Sequence, residues 1–440
     1  MQHDSEAATT EIARLRWQRQ QLEEELERHV GVRNAWQQLL RQGRASLLAY
    51  ARQFYHRFFP HVARRVRTSR QAQNPGFQPQ LIQLRHPVGP GTPRPRVLHA
   101  IPNLAVGGSQ QLLVDIIEAT GHLYEHQLIT RQDWGMPAYV GVPTQPVPYV
   151  RSVAAMLRIL ATAAPALVHV HYWGSRTAAP EHWRWYYYVF EAAFRLGLPV
   201  IENCNNPLEP YLHPQMARYV YVSQYALAHF GDPAGRNAVI YPGSNFQLFT
   251  RPPAELPPPD TIGMVYRLDA DKLDEASIDV FIEVVRRRPR TRALIVGSGT
   301  FDALYRQKVA AAGLGAAFEF TGMVSYQELP AYYRRLTVFV APVYRESFGQ
   351  VTPFAMQMRL PVAGYAVGAL SEILAQPEVL AAPGNVQALA DIIIALLDNP
   401  ARRQALGAHN QRRAQALFSL ETMIADYVAL YAELLRAPNA

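Results

Sequence analysis

The sequence predicts an α/β fold of two Rossmann-like domains joined by a stiff linker, behind an N-terminal helical extension. Three observations predict it. Short apolar runs alternate with helical segments in both halves, a Pro-rich break divides the halves, and 440 residues are too many for one hydrophobic core. With 49% hydrophobic and 18% charged residues the composition is globular, and 34 prolines mark ordered breaks rather than general disorder.

From residue 11 to about 40 the apolar positions Ile12, Leu15, Leu22, Leu26 and Val30 fall near helical spacing without proline, which predicts a long helix suited to self-association. Next, Leu47, Ala51, Phe54, Phe58 and Val62 share a face, with Arg44, Arg52, Arg57, Arg64, Arg65 and Arg67 around it. An interfacial helix has this pattern, and so does a stripe packed on the protein's own body; Pro60 interrupts it. The domain plan is a helical extension over 1–70, a Pro/Gly-rich linker over 71–95, one Rossmann-like domain over 96–250, a stiff linker over 251–259, a second domain over 260–418 and a closing helix over 419–440. In the first domain a strand at 96–101, a glycine turn at Gly107-Gly108-Ser109-Gln110 and a helical run at 111–118 make a βα unit. Further strands are expected at 166–171, 200–203 and 219–222. In the second domain they are expected at 262–265, 293–296, 318–321, 338–341 and 362–365.

The lone Cys204 forms no internal disulfide and fits a reducing compartment. The N-terminus lacks the basic-then-apolar run of a secretory signal, and no stretch has the apolar length of a membrane span. The expected location is the cytoplasm, with peripheral contact at the inner face of the membrane through 11–70 as a second candidate. A net charge of +8 suits an anionic partner, for which phosphorylated metabolites and acidic lipid compete with nucleic acid. No nucleic-acid module is recognisable, so no nucleic-acid partner is expected.

Chemistry concentrates in the second half. Lys272 is one of only two lysines among 43 basic residues, and it stands five positions after Arg267, just beyond a strand. A compact ammonium beside a guanidinium suits a diphosphate. Gly297-Ser298-Gly299-Thr300 also follows a strand, where glycines let backbone amides approach a phosphate. It lacks the third glycine and the acidic partner of a dinucleotide fingerprint, which argues against an NAD or FAD enzyme. Glu346-Ser347-Phe348-Gly349-Gln350-Val351 follows a strand and leads into a helix; its carboxylate suits sugar hydroxyls better than phosphates, or else caps the helix. Asp269-Ala270-Asp271 imitates a metal-binding acidic motif but lies between two cations, so it reads as a surface turn. No His/Cys cluster, catalytic Ser/His/Asp order or phosphate-binding P-loop stands out, and no metal or cofactor is expected.

These motifs, in this order, resemble the retaining family-4 glycosyltransferases of the GT-B type from about residue 96 to the C-terminus. The resemblance rests on Arg267-Leu268 with Lys272, Val296-Gly297-Ser298-Gly299, Glu346-Ser347-Phe348-Gly349, Leu360-Pro361-Val362 and Gly368-Ala369-Leu370-Ser371-Glu372-Ile373. In the first half it rests on Gly107-Gly108-Ser109-Gln110, His169-Val170-His171-Tyr172-Trp173-Gly174 and Tyr241-Pro242-Gly243-Ser244 with Phe249. It implies a nucleotide-sugar donor and a glycan or lipid-linked acceptor. It assigns Arg267 and Lys272 to the donor diphosphate, Glu346 to the donor sugar, and His171 to a place near the reacting sugar. Gly107 and Gly108 would contact the donor across the cleft, with Gly297, Gly299, Ser347, Phe348, Gly349 and Gln350 lining its site. His169 reads as pointing to the opposite face from His171. One position departs from the family: where a second glutamate meets the nucleotide ribose, this chain has Phe354, which accepts no hydrogen bond. That departure supports a competing reading as a binding or scaffold protein of the same architecture.

Overall fold

The computed structural model describes residues 82–83, 94–104, 108–131, 139–140, 144–147, 150–172, 180–205, 210–232, 235–250 and 260–436. The helices expected over 11–40 and 44–67, most of the linker over 71–95, Gly107, Trp173, Gly174 and the break at 251–259 lie outside the described residues. Within the expected first linker, Ile82–Gln83 pairs in parallel with Tyr139–Val140.

The first half runs β1 (Arg96–Ile101), α1 (Gly108–Thr120), β2 (Glu125–Thr130), β3 (Thr144–Pro146), α2 (Val153–Ala163), β4 (Leu167–Tyr172), α3 (Pro180–Arg195), β5 (Val200–Cys204), β6 (Arg218–Tyr221), α4 (Gln224–Phe230) and β7 (Asn237–Val239). The strands form one parallel sheet in the order β3-β2-β1-β4-β5-β6-β7. Every residue of β4 and β5 is buried, as a parallel sheet covered on both faces requires.

The second half continues with β8 (Thr261–Val265), α5 (Asp279–Arg287), β9 (Arg292–Val296), α6 (Asp302–Ala311), β10 (Phe318–Gly322), α7 (Leu329–Arg334), β11 (Val338–Ala341), α8 (Val351–Gln357), β12 (Val362–Tyr365), α9 (Leu370–Leu374), β13 (Leu380–Ala381), α10 (Val386–Asp398) and α11 (Pro400–Leu417). Its sheet is also parallel, in the order β10-β9-β8-β11-β12-β13. Local chemistry sets the helix ends. Asn385 accepts a hydrogen bond from the Ala388 amide to start α10, and Asn399 caps α11, which has Pro400 at its first position.

Both sheets repeat one order, so each has a switch point where the crossovers leave in opposite directions: between β1 and β4, and between β8 and β11. Open α/β sheets take ligands beyond the strand ends at such points. The chain then returns to its first half. Helix α12 (Leu420–Arg436) buries Met423, Tyr427, Leu430 and Tyr431, spaced along one face, in a cluster with Val97, Leu167 and Ile201 of the first sheet. Each such side chain contributes about 1.5–3 kcal/mol through burial, so the last helix fastens the two halves together. The bridge Ser244↔Ser419 sits where the chain crosses.

Candidate functional site

The loops after β8 and β11 meet at the second switch point. Lys272 is held through its backbone: its amide donates to the Asp269 carbonyl (3.1 Å), and its carbonyl accepts from the Tyr344 amide (2.9 Å). From there its ammonium reaches Glu346 Oε1 at 2.6 Å. Glu346 is 4% exposed. Two glycines let it sit there. Gly349 has φ +78°, and a Cβ on it would lie 2.4 Å from Glu346 Oε2; Gly368 has φ +56°, and a Cβ on it would lie 1.9 Å from the Glu346 carbonyl. That carbonyl accepts from the Ala369 amide. The second carboxylate oxygen, Oε2, is buried without a hydrogen-bond partner, which leaves a charged acceptor facing no protein donor.

The two expected cations do not share a target. Arg267 is mostly exposed and pairs with Asp271, while Lys272 pairs with Glu346. Asp269 ties the loop to its neighbour by accepting from the Thr300 amide at 2.7 Å. Both carboxylates of the acidic motif therefore serve the turn. The glycines of the next loop have a packing reason of their own: a Cβ on Gly297 would lie 1.9 Å from the Tyr266 carbonyl oxygen, and one on Gly299 would lie 2.5 Å from that of Leu268. Their missing side chains let the loops after β8 and β9 lie against each other.

Several residues expected to line the donor site also make contacts that join the halves. Phe348 is buried between Tyr241 (centroids 5.9 Å) and Phe418 (5.4 Å). The Gln350 amide donates to the Gly243 carbonyl at 3.4 Å, and a Cβ on Gly108 would come 3.9 Å from Gln350 Oε1, so Gly108 and Gln350 do face each other across the cleft. Ser347 is buried beside Glu346 in the chain. Phe354 is buried and stacks on Phe249 at 4.0 Å and 14°, with Tyr326 and Phe246 edge-on. An aromatic cluster therefore occupies the position where the family carries its ribose carboxylate.

The sequence reading missed two contacts. Glu372 accepts from the amides of Gln224 (2.9 Å) and Tyr225 (2.8 Å), so a carboxylate of the second half caps α4 of the first. Tyr266 is buried near Glu346, and burial first and that carboxylate second push its phenol up. Both residues lie in or beside quoted motifs, but their targets are distant in sequence.

At the first switch point the expected orientation of His169 is corrected. Residues two apart on a strand share a face, and the His169 and His171 rings stack at 4.2 Å. His171 is 1% exposed. His99 of β1 and His126 of β2 join them: His99 Nδ1 lies 3.2 Å from His171 Nε2, and His99 Nε2 lies 3.0 Å from His126 Nδ1. Burial holds His99 and His171 well below the usual histidine range and brings His169 down to about 3, so these rings are neutral at physiological pH. His99 had a sequence signal in hindsight, since it lies on β1, the strand that neighbours β4; His126 had none, since β2, one strand further out, was not expected.

Residues 249–413 match the family model described as glycosyl transferases group 1. This segment is a glycosyl transferases group 1 domain. It contains Arg267, Lys272, Glu346 and both enclosing glycines. Among similar proteins, the lipopolysaccharide core biosynthesis mannosyltransferase LpsB of Rhizobium meliloti is 29% identical over 184 residues, covering 40% of this chain and 52% of that protein. The 2-deoxystreptamine glucosyltransferase of Streptomyces kanamyceticus is 35% identical over 142 residues, covering 32% of this chain and 37% of that protein. The chain thus spans about half the length, or less, of these relatives. Anabaena Alr3699/HepE, solved in complex with UDP, superposes with a TM-score of 0.64 at 18% identity, over 77% of this chain and 100% of that one. The sucrose-phosphate synthase of Thermosynechococcus elongatus superposes with 0.61 at 21% identity, over 78% and 100%. The domain and its partner half thus share the two-domain GT-B architecture.

Proposed function

We propose that the chain is a retaining glycosyltransferase that moves a hexose from a nucleoside diphosphate sugar to a hydroxyl of a glycan or lipid-linked acceptor, in polysaccharide assembly. The observation that carries this reading is the buried, unpartnered Oε2 of Glu346, fixed beside the Lys272 ammonium at the switch point. A carboxylate oxygen that lacks a donor suits a sugar hydroxyl, and an adjacent ammonium suits the diphosphate that leaves. As the glycosidic bond breaks, negative charge grows on the diphosphate, and a preorganised cation stabilises that state more than the ground state. Arg267 would add a second charge on releasing Asp271. The names of the relatives, a lipopolysaccharide core biosynthesis mannosyltransferase and a 2-deoxystreptamine glucosyltransferase, support a sugar donor and a hydroxyl acceptor. We place the reaction in the cytoplasm, with peripheral membrane contact or self-association through 11–70. No helix among the described residues is long and apolar enough to cross a membrane.

A second reading, a nucleotide-sugar-binding or scaffold protein without turnover, is favoured by Phe354, whose ring is committed to Phe249 where a ribose contact is expected. One experiment separates the two. Purified full-length protein is screened by thermal shift against UDP-, GDP- and ADP-sugars, and hits are tested for transfer to glycan acceptors. The transferase reading expects a stabilising donor that is also consumed; binding without consumption under acceptor saturation supports the scaffold, and no binding across the panel overturns both.

A further inference from the structure

The buried histidines form a directed chain that starts at a hydroxyl. Thr120 Oγ1 donates its one proton to the Ile116 carbonyl at 2.6 Å, so it meets His126 Nε2, 2.9 Å away, only as an acceptor. As a neutral ring, buried like its neighbours, His126 then carries its one proton on Nε2 and offers Nδ1 as an acceptor. His99 Nε2, 3.0 Å from that atom, must then be its donor, which leaves His99 Nδ1 as an acceptor for the Nε2–H of His171 at 3.2 Å. Each neutral ring has one N–H and one lone pair, so every step fixes the next. The last atom in the line is His171 Nδ1, a buried lone pair with no partner.

We propose that Thr120, His126 and His99 act as positioning residues that lock His171 in its Nε2–H tautomer, presenting Nδ1 to accept a hydrogen bond from a ligand hydroxyl. His171 is the penultimate residue of β4, the strand that borders the first switch point. A neutral nitrogen acceptor there selects a hydroxyl or another hydrogen donor and offers nothing to an anion. That the hydroxyl belongs to a sugar rests on the transferase reading; the tautomer lock does not. His99, His169 and His171 also offer ligand nitrogens within 4.8 Å of one another, but both nitrogens of His99 are already used in the chain.

The test is a long-range proton–nitrogen correlation spectrum of full-length protein labelled with 15N-histidine, in which the two neutral tautomers have distinct nitrogen shifts and His171→Gln assigns the residue. The expected result is a single Nε2–H form for His171 at pH 7. Thr120→Val, which keeps the shape and removes the hydroxyl, should convert it to a mixture, and Thr120→Ser should restore the single form. In a transfer assay Thr120→Val should lose about threefold to tenfold in kcat/KM, the effect of one neutral hydrogen bond, with Thr120→Ser near wild type. An Nδ1–H form or a charged ring in wild type, stoichiometric bound zinc, or a folded Thr120→Val variant with the tautomer unchanged would overturn the proposal. If the valine variant does not fold, the wild-type spectrum decides alone. An Nε2–H His171 in a protein without transferase activity would uphold the lock and count only against the transferase reading.

Discussion

Lys272→Ala is expected to lower kcat/KM for the donor by about one to two orders of magnitude, because a charge-assisted contact to phosphate contributes about 1.5–3 kcal/mol. A second loss follows from the same contact. The Lys272 ammonium is the cation on Glu346, and without it a carboxylate that is 4% exposed stays buried unpaired. The variant should therefore also unfold at lower temperature, by an amount tempered by the partial exposure of the lysine. Arg267→Ala should be milder on both counts, since its guanidinium lies mostly in solvent on Asp271. Donor titration, steady-state kinetics and thermal melts read all three effects. Equal and small effects of the two substitutions would show that neither cation holds the diphosphate.

Phe354→Glu is expected to destabilise the protein by about 3–5 kcal/mol, the range for losing a buried aromatic ring, with a further cost if the carboxylate stays charged. The ring stacks on Phe249, which is fully buried, and the edges of Tyr326 and Phe246 close the cluster. A glutamate there restores the family's residue type but not its surroundings, so nucleotide affinity should not rise. Phe354→Leu should cost far less and leave nucleotide binding near wild type. Tighter nucleotide binding by a stable Phe354→Glu protein, measured by calorimetry, would mean that the cluster opens readily and that the ribose site is latent.

The sequence carried the architecture wherever burial on both sheet faces writes a continuous apolar run. The central strands at 200–203, 262–265 and 338–341 lie within or at the observed strands. Strands β3, β7 and β13 escaped notice because two or three residues at a sheet edge leave no period to read. Strand β2 was hidden by its composition, Glu-His-Gln before Leu-Ile-Thr, in which His126 is buried only because Thr120 and His99 bond to it. At the second switch point the important residues were legible as types and spacing. Their partners were not. The contact of Lys272 with Glu346 spans 74 positions, and the Glu372 cap on α4 spans about twice as many. The role of Gly297 and Gly299 was legible only as glycine, since whether a bare Cα faces a ligand or another loop depends on the fold around it.

The most direct test of the site is a paired titration of wild type and Glu346→Gln with a nucleoside diphosphate and with its sugar conjugate. Glutamine keeps the size of the side chain and weakens its acceptance of a sugar hydroxyl, while the proposed phosphate contact belongs to Lys272. The variant is expected to bind the nucleoside diphosphate within about threefold of wild type, to lose the extra affinity contributed by the sugar, and to fail in transfer. Parallel loss of affinity for both ligands, or full retention of both together with transfer, would contradict the assignment of Glu346 to the sugar.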